Sequence, residues 1–254
     1  MDTLFNAVLF IGGAVICSVL GLIFVRHYVD LAWLRRHHEI ASYFFVMIGT
    51  LYAVLVAFAI FTVWQGFKEA GTNLEQEANE IGDLSRLSMA MPDPLRSDIR
   101  AALMEYLSSV LNDEFPAMEK GIDSQRTWDA IQNLWNVYGT GKPDSLQMQA
   151  YFAESLRHLN ELSNKRRIRL FTSRGTVPAS LWFLLLSGSL VLIAFTYCFA
   201  HESVLSQAIM TASLVCVIGL SLFLVLSLDS PYSGVAHVNP APIELELRHV
   251  SARK

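Results

Sequence analysis

The chain has 254 residues, of which 53% are apolar and 17% charged, and its mean hydropathy is +0.38. This composition is too apolar for an ordinary soluble domain, so we expect an integral membrane protein. The net charge of −4 has no basic bias and argues against a nucleic-acid partner. Cys17, Cys198 and Cys216 all lie in apolar runs, and their spacing suggests neither a metal clip nor a disulfide.

Four uncharged runs are long enough to cross a hydrocarbon core of about 30 Å. They cover residues 4–25, 42–64, 177–200 and 204–228. The first run lacks the basic segment of a signal peptide before it, so we expect it to be retained as an anchor. The last two runs are separated only by residues 201–203, which predicts a tight helical hairpin.

The second run predicts one long helix that leaves the membrane and continues in water, because no proline follows until Pro92. A seam of small and aliphatic residues repeats along this helix in steps of three and four residues, with one stutter. The members of the seam are Gly49, Ala53, Val56, Ile60, Val63, Phe67, Ala70, Leu74, Ala78 and Ile81. Such a seam faces either the pore axis of an oligomer or another helix of the same chain.

The membrane part of the seam is the candidate pore wall. It consists of Gly49, Ala53, Val56, Ile60 and Val63. A neck of small and aliphatic residues can gate ions without any charge inside the membrane. Close packing between helices is the commoner use of such residues, and the sequence alone leaves both interpretations open.

An acidic face follows on the aqueous half of the same helix. Glu69, Glu80 and Asp83 fall within roughly 60° of one another on the helical wheel, opposite the seam. They form either an ordinary solvated face or a ring of vestibule carboxylates once several copies assemble.

Residues 65–176 predict a helical soluble domain. Asp93, Ser124 and Asp144 each precede a helical pattern and are N-cap candidates. The first of these helices is expected to end near Phe115, before a proline. The second carries aromatic and aliphatic residues at core spacing, namely Trp128, Ile131, Trp135 and Tyr138.

A basic cluster ends this domain, directly before the third span. Its members are Lys165, Arg166, Arg167, Arg169 and Arg174. A cluster beside a bilayer usually contacts lipid headgroups, and attraction of anions to a channel mouth is the alternative. Four spans place both termini and the domain on one side, and the excess of basic residues there favours the cytoplasm. The flanks of the first helix alone point the opposite way.

The spans contain no Asp, Glu, Lys, Arg or His, so the sequence offers no proton relay and no intramembrane haem ligand. Glycine-rich phosphate loops and common hydrolase or metalloprotease motifs are also absent. In the connector 26–40, His37 and His38 project about 100° apart on a helix and make a poor chelate. We therefore expect no catalytic residue, no metal site and no cofactor.

Several stretches carry a resemblance to a known family. They are 51–58, Glu69-Ala70, Glu77-Ala78, Glu114-Phe115-Pro116, 166–170, 178–182 and 228–234. With them the chain resembles the bestrophin-like family of small bacterial membrane proteins over nearly its whole length. Phe115 stands where the family pattern has tryptophan.

The resemblance implies a pentameric ion channel of the bacterial inner membrane, with four membrane helices, a helical cytosolic domain and a pore lined by the second span. Small inorganic ions and membrane lipids would be its partners. Two features depart from the family. Bestrophin necks carry bulky residues where this seam has Gly49 and Ala53, and no acidic calcium clasp follows the fourth span, where Asp229 stands alone.

We thus predict an all-α protein with two membrane helices in 1–64, a helical soluble domain in 65–176, a membrane hairpin in 177–228 and a C-terminal tail in 229–254. The predicted function is that of a homo-oligomeric channel for small ions. The alternative is a non-conducting scaffold or sensor whose soluble domain binds a protein partner.

Overall fold

The computed structural model describes residues 2–29, 31–175, 177–199 and 203–252, and the side chains of 2–4 and 31–38 lie outside the description. All regular elements in these ranges are helical, which confirms the predicted fold class. The helices are α1 (Asp2–Tyr28), α2 (Leu31–Ser88), α3 (Leu95–Ser109), a π segment (Val110–Glu114), α4 (Phe115–Met118), α5 (Gln125–Gly139), α6 (Leu146–Thr172), α7 (Ala179–Tyr197), α8 (Val204–Asp229) and α9 (Ala241–Ala252).

Among the described residues, four helices are long and apolar enough to cross a membrane: α1, the first part of α2, α7 and α8. The helices extend beyond the uncharged runs. α1 continues to Tyr28 and α2 begins at Leu31, so the predicted connector 26–40 is almost entirely helical. Charged residues mark the limit of the membrane and are compatible with a helix, which explains the difference. The side chains of His37 and His38, and residues 201 and 202 of the predicted hairpin loop, lie outside the description.

The chain divides into two compact units. The membrane unit consists of Met1–Gln65 and Val177–Asp229, and the extramembrane unit of Gly66–Thr176 and Ser230–Lys254. In the membrane unit, the Tyr52 hydroxyl donates to the Leu185 carbonyl over 3.2 Å and ties α2 to α7. The Tyr197 hydroxyl donates to the Ser18 carbonyl over 2.9 Å and ties α7 to α1. Carbonyls inside one helix thus accept a further hydrogen bond from a tyrosine hydroxyl of another helix.

The core of the extramembrane unit forms around the aqueous half of the seam. Ala70, Leu74, Ala78 and Ile81 are buried there against residues of α3, α5 and α6. The segment that we set apart as a tail belongs to this core, because Ile243 and Val250 of α9 are fully buried. Arg100 of α3 also donates to the carbonyls of Val250 and Ser251.

Helix starts differ from the prediction at two of the three N-caps. Ser124 accepts from the Thr127 amide and caps α5 as predicted. α6 is capped by Ser145 instead of Asp144, one residue later. α3 begins at Leu95 with Pro94 at its N-cap, so it has no side-chain cap, and Asp93 pairs with the Arg96 guanidinium. Trp128 was predicted to lie in the core and is 50% exposed instead.

Candidate functional site

The candidate pore wall divides between two faces of α2. Val63 is 1% exposed and Val56 9% exposed within a single copy of the chain, and Val56 borders the groove between α2, α7 and α8. This packing within one chain argues against a place for either residue in a pore wall between subunits. They share the buried face of the span with Tyr52 and Ala59, in steps of four, three and four residues.

Gly49, Ala53 and Ile60 lie at the edge of that buried face. They line a groove of about 400 Å³ together with residues of α7 and α8, among them Leu192 and Ile218. An added Cβ at Gly49 would lie 3.8 Å from Leu192, which is ordinary van der Waals contact. A methyl group at Gly49 would therefore fit without displacing α7.

The side of α2 away from this packing is exposed. Within the span it carries a stripe of Thr50, Val54, Ala57 and Phe61, in steps of four, three and four residues, and Ala57 also borders the groove with α7 and α8. The spacing of small residues in the sequence does not reveal this stripe, because the stripe mixes small, hydroxyl-bearing and bulky side chains. The seam itself gives the indirect signal. If the seam packs against other helices of the same chain, the opposite face of α2 is the one left exposed.

The predicted vestibule charges have unequal surroundings. Glu80 is partly buried and its Oε2 lies 2.6 Å from His158 Nδ1 of α6. Asp83 Oδ2 lies 3.9 Å from the same nitrogen, and its Oδ1 accepts from Arg86. Glu80 is therefore a packing contact between two helices of one chain, which corrects its assignment as a solvated vestibule charge. Glu69 is exposed, as expected for a residue facing water.

A buried charge network lies inside the extramembrane unit. It joins Glu77 of α2, Glu114 of the π segment, and Arg166 and Arg169 of α6. The Arg169 guanidinium donates through Nε to Glu77 Oε2 over 2.7 Å and through Nη2 to Glu114 Oε2 over 2.6 Å. Arg166 donates to both oxygens of Glu114. Two carboxylates and two guanidiniums thus compensate one another where water is excluded.

Further contacts complete the network. The Tyr106 hydroxyl donates to Glu77 Oε1 over 2.7 Å, and the Phe115 ring lies 5.6 Å from the guanidinium carbon of Arg169. Burial, followed by the charge of Glu77, raises the pKa of Tyr106 well above its usual value. Burial alone would lower the pKa of Arg169, but the charges of Glu77 and Glu114 raise it well above its usual value. Tyr106 therefore stays protonated and Arg169 stays charged at neutral pH.

This network corrects the prediction for two members of the basic cluster. Arg166 and Arg169 are buried and cannot contact lipid headgroups. Both arginines continue the buried face of α6 that carries Leu159 and Leu162, and there they meet their acidic partners. Lys165 donates to Gln76, Arg174 pairs with Asp123 over 2.9 Å, and Arg167 is exposed.

The π segment positions Glu114. Pro116 has no amide hydrogen and its ring would clash with the carbonyl four residues earlier in a regular α-helix. The Phe115 amide bonds to the Val110 carbonyl instead, five residues back, which gives the wider turn. The stretch Glu114-Phe115-Pro116 therefore has a structural purpose, namely to direct the carboxylate toward both arginines.

The fold and its sites define an all-helical integral membrane protein with four spans and a helical extramembrane unit. The chain belongs to the Bestrophin-like family, since the model of the Bestrophin-like domain matches residues 12–243. Three of the stretches that carried the resemblance hold the buried network: Glu77-Ala78, Glu114-Phe115-Pro116 and 166–170.

Solved structures share the fold. A point variant of a bacterial bestrophin homolog from Klebsiella pneumoniae superposes with a TM-score of 0.68 at 16% identity, over 95% of this chain and 99% of that one. The homolog from the same organism solved by Zn-SAD phasing gives a TM-score of 0.64 at 16% identity, over 93% and 96%. A variant described as a membrane protein gives 0.66 at 17% identity, over 96% and 97%. No curated protein matches the chain.

Proposed function

We propose that the chain assembles as a homo-oligomer, a pentamer by analogy with bestrophins, and conducts small ions along α2 in a bacterial inner membrane. The extramembrane unit and both termini would lie in the cytoplasm. The family supports an ion channel. The observation that carries the proposal is the exposed stripe of α2, Thr50, Val54, Ala57 and Phe61.

The chemistry of α2 distinguishes this stripe from a lipid-facing surface. Thr50 and Ala57 are small or hydroxyl-bearing, whereas Leu51 and Phe58, on the adjoining side, are bulky and apolar. On the aqueous half of α2, the corresponding exposed positions are Lys68, Thr72, Glu75 and Asn79. A helix face that alternates small or hydroxyl-bearing residues (Thr50, Ala57) with larger apolar ones (Val54, Phe61) in the membrane, and carries polar residues outside it, suits a narrow water-filled path.

The pore wall that we propose is therefore centred on Thr50, Ala57 and Phe61, with Gly49, Ala53 and Ile60 at one edge. Glu69 and Asp83 stay proposed vestibule charges, while Lys165, Arg167 and Arg174 stay candidates for contact with headgroups or anions. A bulky Phe61 would also supply the large neck side chain that the seam lacks.

Cysteine accessibility tests this wall. The three native cysteines are replaced, and single cysteines are placed at Thr50, Ala57 and, as a buried control, Ala59. In liposomes that show ion flux, a membrane-impermeant thiol reagent should block flux through the first two variants and leave the control unaffected. Absence of flux over a range of salts and voltages would contradict the proposed function. Block only at lipid-side positions such as Phe58 would contradict the wall.

A further inference from the structure

The last turns of α6 have two faces with opposite surroundings. The buried face carries Arg166 and Arg169 of the charge network. The outward face, about half a turn away around the helix, carries Arg167, Ile168 and Phe171, and all three are exposed. Phe171 is the most exposed of its apolar members, at 74%. The basic segment at the end of α6 thus presents a second, partly apolar surface to the outside.

A loop brings a further apolar side chain to the same place. Arg174 lies just after α6 and its Nη2 donates to Asp123 Oδ2 over 2.9 Å, which holds residues 121–123 beside the end of the helix. Ile122, the chain neighbour of Asp123, is 58% exposed. The α6 end patch, as we name this surface, consists of Ile122, Arg167, Ile168, Phe171 and Arg174.

The α6 end patch carries an excess of positive charge. Among the residues that the structure describes, Arg167 is exposed and has no acidic partner. Arg174 has only the exposed Asp123, and exposed ion pairs are weak, so Arg174 can exchange this partner for another anion. The charges of Glu119 and Lys120, on the same loop as Ile122, cancel. The patch therefore favours an anionic partner.

The chain ties this patch to a membrane span. Residues 173–178 are the only link between the end of α6 and the start of α7, and such a link spans at most about 25 Å. Basic residues beside a span bind acidic headgroups, and apolar side chains among them enter the boundary with the acyl chains. The centre of an interface between proteins is instead depleted of charged residues. An arginine one turn from an exposed phenylalanine thus fits a membrane surface better than a second copy.

We propose that the α6 end patch binds the anionic surface of the membrane that the spans cross. Arg167 and Arg174 donate to phosphate oxygens of acidic phospholipids, and Ile122 and Phe171 insert between the headgroups. The inference rests on the headgroup contact proposed above for the basic cluster and leaves out Lys165, which donates to Gln76. It does not depend on ion conduction, so this test and the flux test can fail separately.

Spin labels on the full chain test the contact. The native cysteines are replaced, and the nitroxide is attached in turn to Ile122→Cys, Phe171→Cys and, at the other end of α6, the largely exposed control Leu146→Cys. In nanodiscs that contain phosphatidylglycerol, the first two labels should collide more with oxygen, which concentrates in lipid, than with a water-soluble nickel chelate. The control should show the reverse.

Phosphatidylcholine alone should shift the first two labels toward collision with nickel, because the acidic headgroups are missing. Two results would overturn the proposal. One is a preference for nickel at 122 and 171 with either lipid. The other is shielding of both labels from both reagents, as expected where a second copy covers the patch.

Charge variants assign the contact to Arg167. Read from the label on Phe171→Cys, Arg167→Gln should raise by about fivefold the phosphatidylglycerol fraction that gives half of the shift, since one basic residue near acidic lipid contributes about this factor. The matched control is Arg157→Gln, an exposed arginine ten residues earlier on α6, which should leave the fraction unchanged. Equal effects of the two variants, or none from Arg167→Gln, would contradict the proposal.

Discussion

The Arg169 guanidinium donates to the Glu114 carboxylate over 2.6 Å at a place where neither side chain has any exposed surface. The same guanidinium holds Glu77, which lies 92 residues away in sequence. One cation thus fixes the π segment against α2 and α6. Buried ion pairs contribute little net stability compared with apolar packing, but the loss of one partner is severe.

Arg169→Met should therefore lower the free energy of unfolding of the extramembrane unit by about 3–5 kcal/mol, since it leaves two buried carboxylates with fewer donors. Hydrogen exchange of the full chain in detergent measures this loss. The matched control is Arg174→Met, whose exposed pair with Asp123 should be worth at most about 1 kcal/mol. Equal effects of the two substitutions would show that the network does not hold the unit together.

Alkaline pH should destabilise the same unit, in part through Tyr138. Burial raises the pKa of Tyr138 to about 12 in the folded protein, against about 10 in an unfolded chain. Its contribution is complete below pH 10 and is lost as the pH rises toward 12, because only the unfolded chain releases the proton. Tyr138→Phe should reduce the loss of unfolding free energy between pH 9 and 12 by about 2 kcal/mol. Parallel curves for the two proteins would contradict this.

The contact between α2 and α7 should depend on Gly188. A Cβ at this position would lie 2.7 Å from Cδ2 of the Tyr52 ring, so Gly188→Ala must displace the ring and weaken its bond to Leu185. We expect a destabilisation of about 1–3 kcal/mol by thermal unfolding in detergent. Gly13→Ala meets no atom within 4 Å and is the control. Tyr52→Leu should relieve the clash when combined with Gly188→Ala, and a persistent loss would place the cause elsewhere.

Tryptophan at neighbouring positions of α2 should separate packing from conduction. Val56 is buried, so Val56→Trp should overpack the membrane unit and lower its thermal stability. Ala57 is exposed, so Ala57→Trp should fold and assemble normally and reduce ion flux from liposomes. The reverse pattern, with a stable Val56→Trp that blocks flux, would return the pore to the seam.

The spans were predictable because a membrane helix needs a long uncharged run, and the seam because burial in a core selects residues at the helical period. Ala70, Leu74 and Ile81 show this, since they pack as the spacing indicates. The helix ends were less predictable. α2 begins at Leu31, before charged residues that are compatible with a helix but mark the membrane limit.

The buried network could not be predicted in full. Arg166 and Arg169 continue the spacing of Leu159 and Leu162, so the sequence could have predicted their place on the core face of α6. The sequence could not have predicted their acidic partners, because helical spacing says nothing about which distant helix lies opposite. We predicted that Arg166 and Arg169 contact lipid headgroups because they lie just before the third span in sequence. Their burial in the extramembrane unit excludes that contact.

The pairing of Arg169 also sets an order of events during synthesis. Glu77 and Glu114 leave the ribosome 92 and 55 residues before the cation that neutralises them in the folded unit. A nascent chain that ends before α6 must keep both carboxylates in water, so this core cannot close over them. The extramembrane unit therefore stays open while α2 is already available for insertion, and a translational pause before α6 would prolong the time during which chaperones and proteases have access to it.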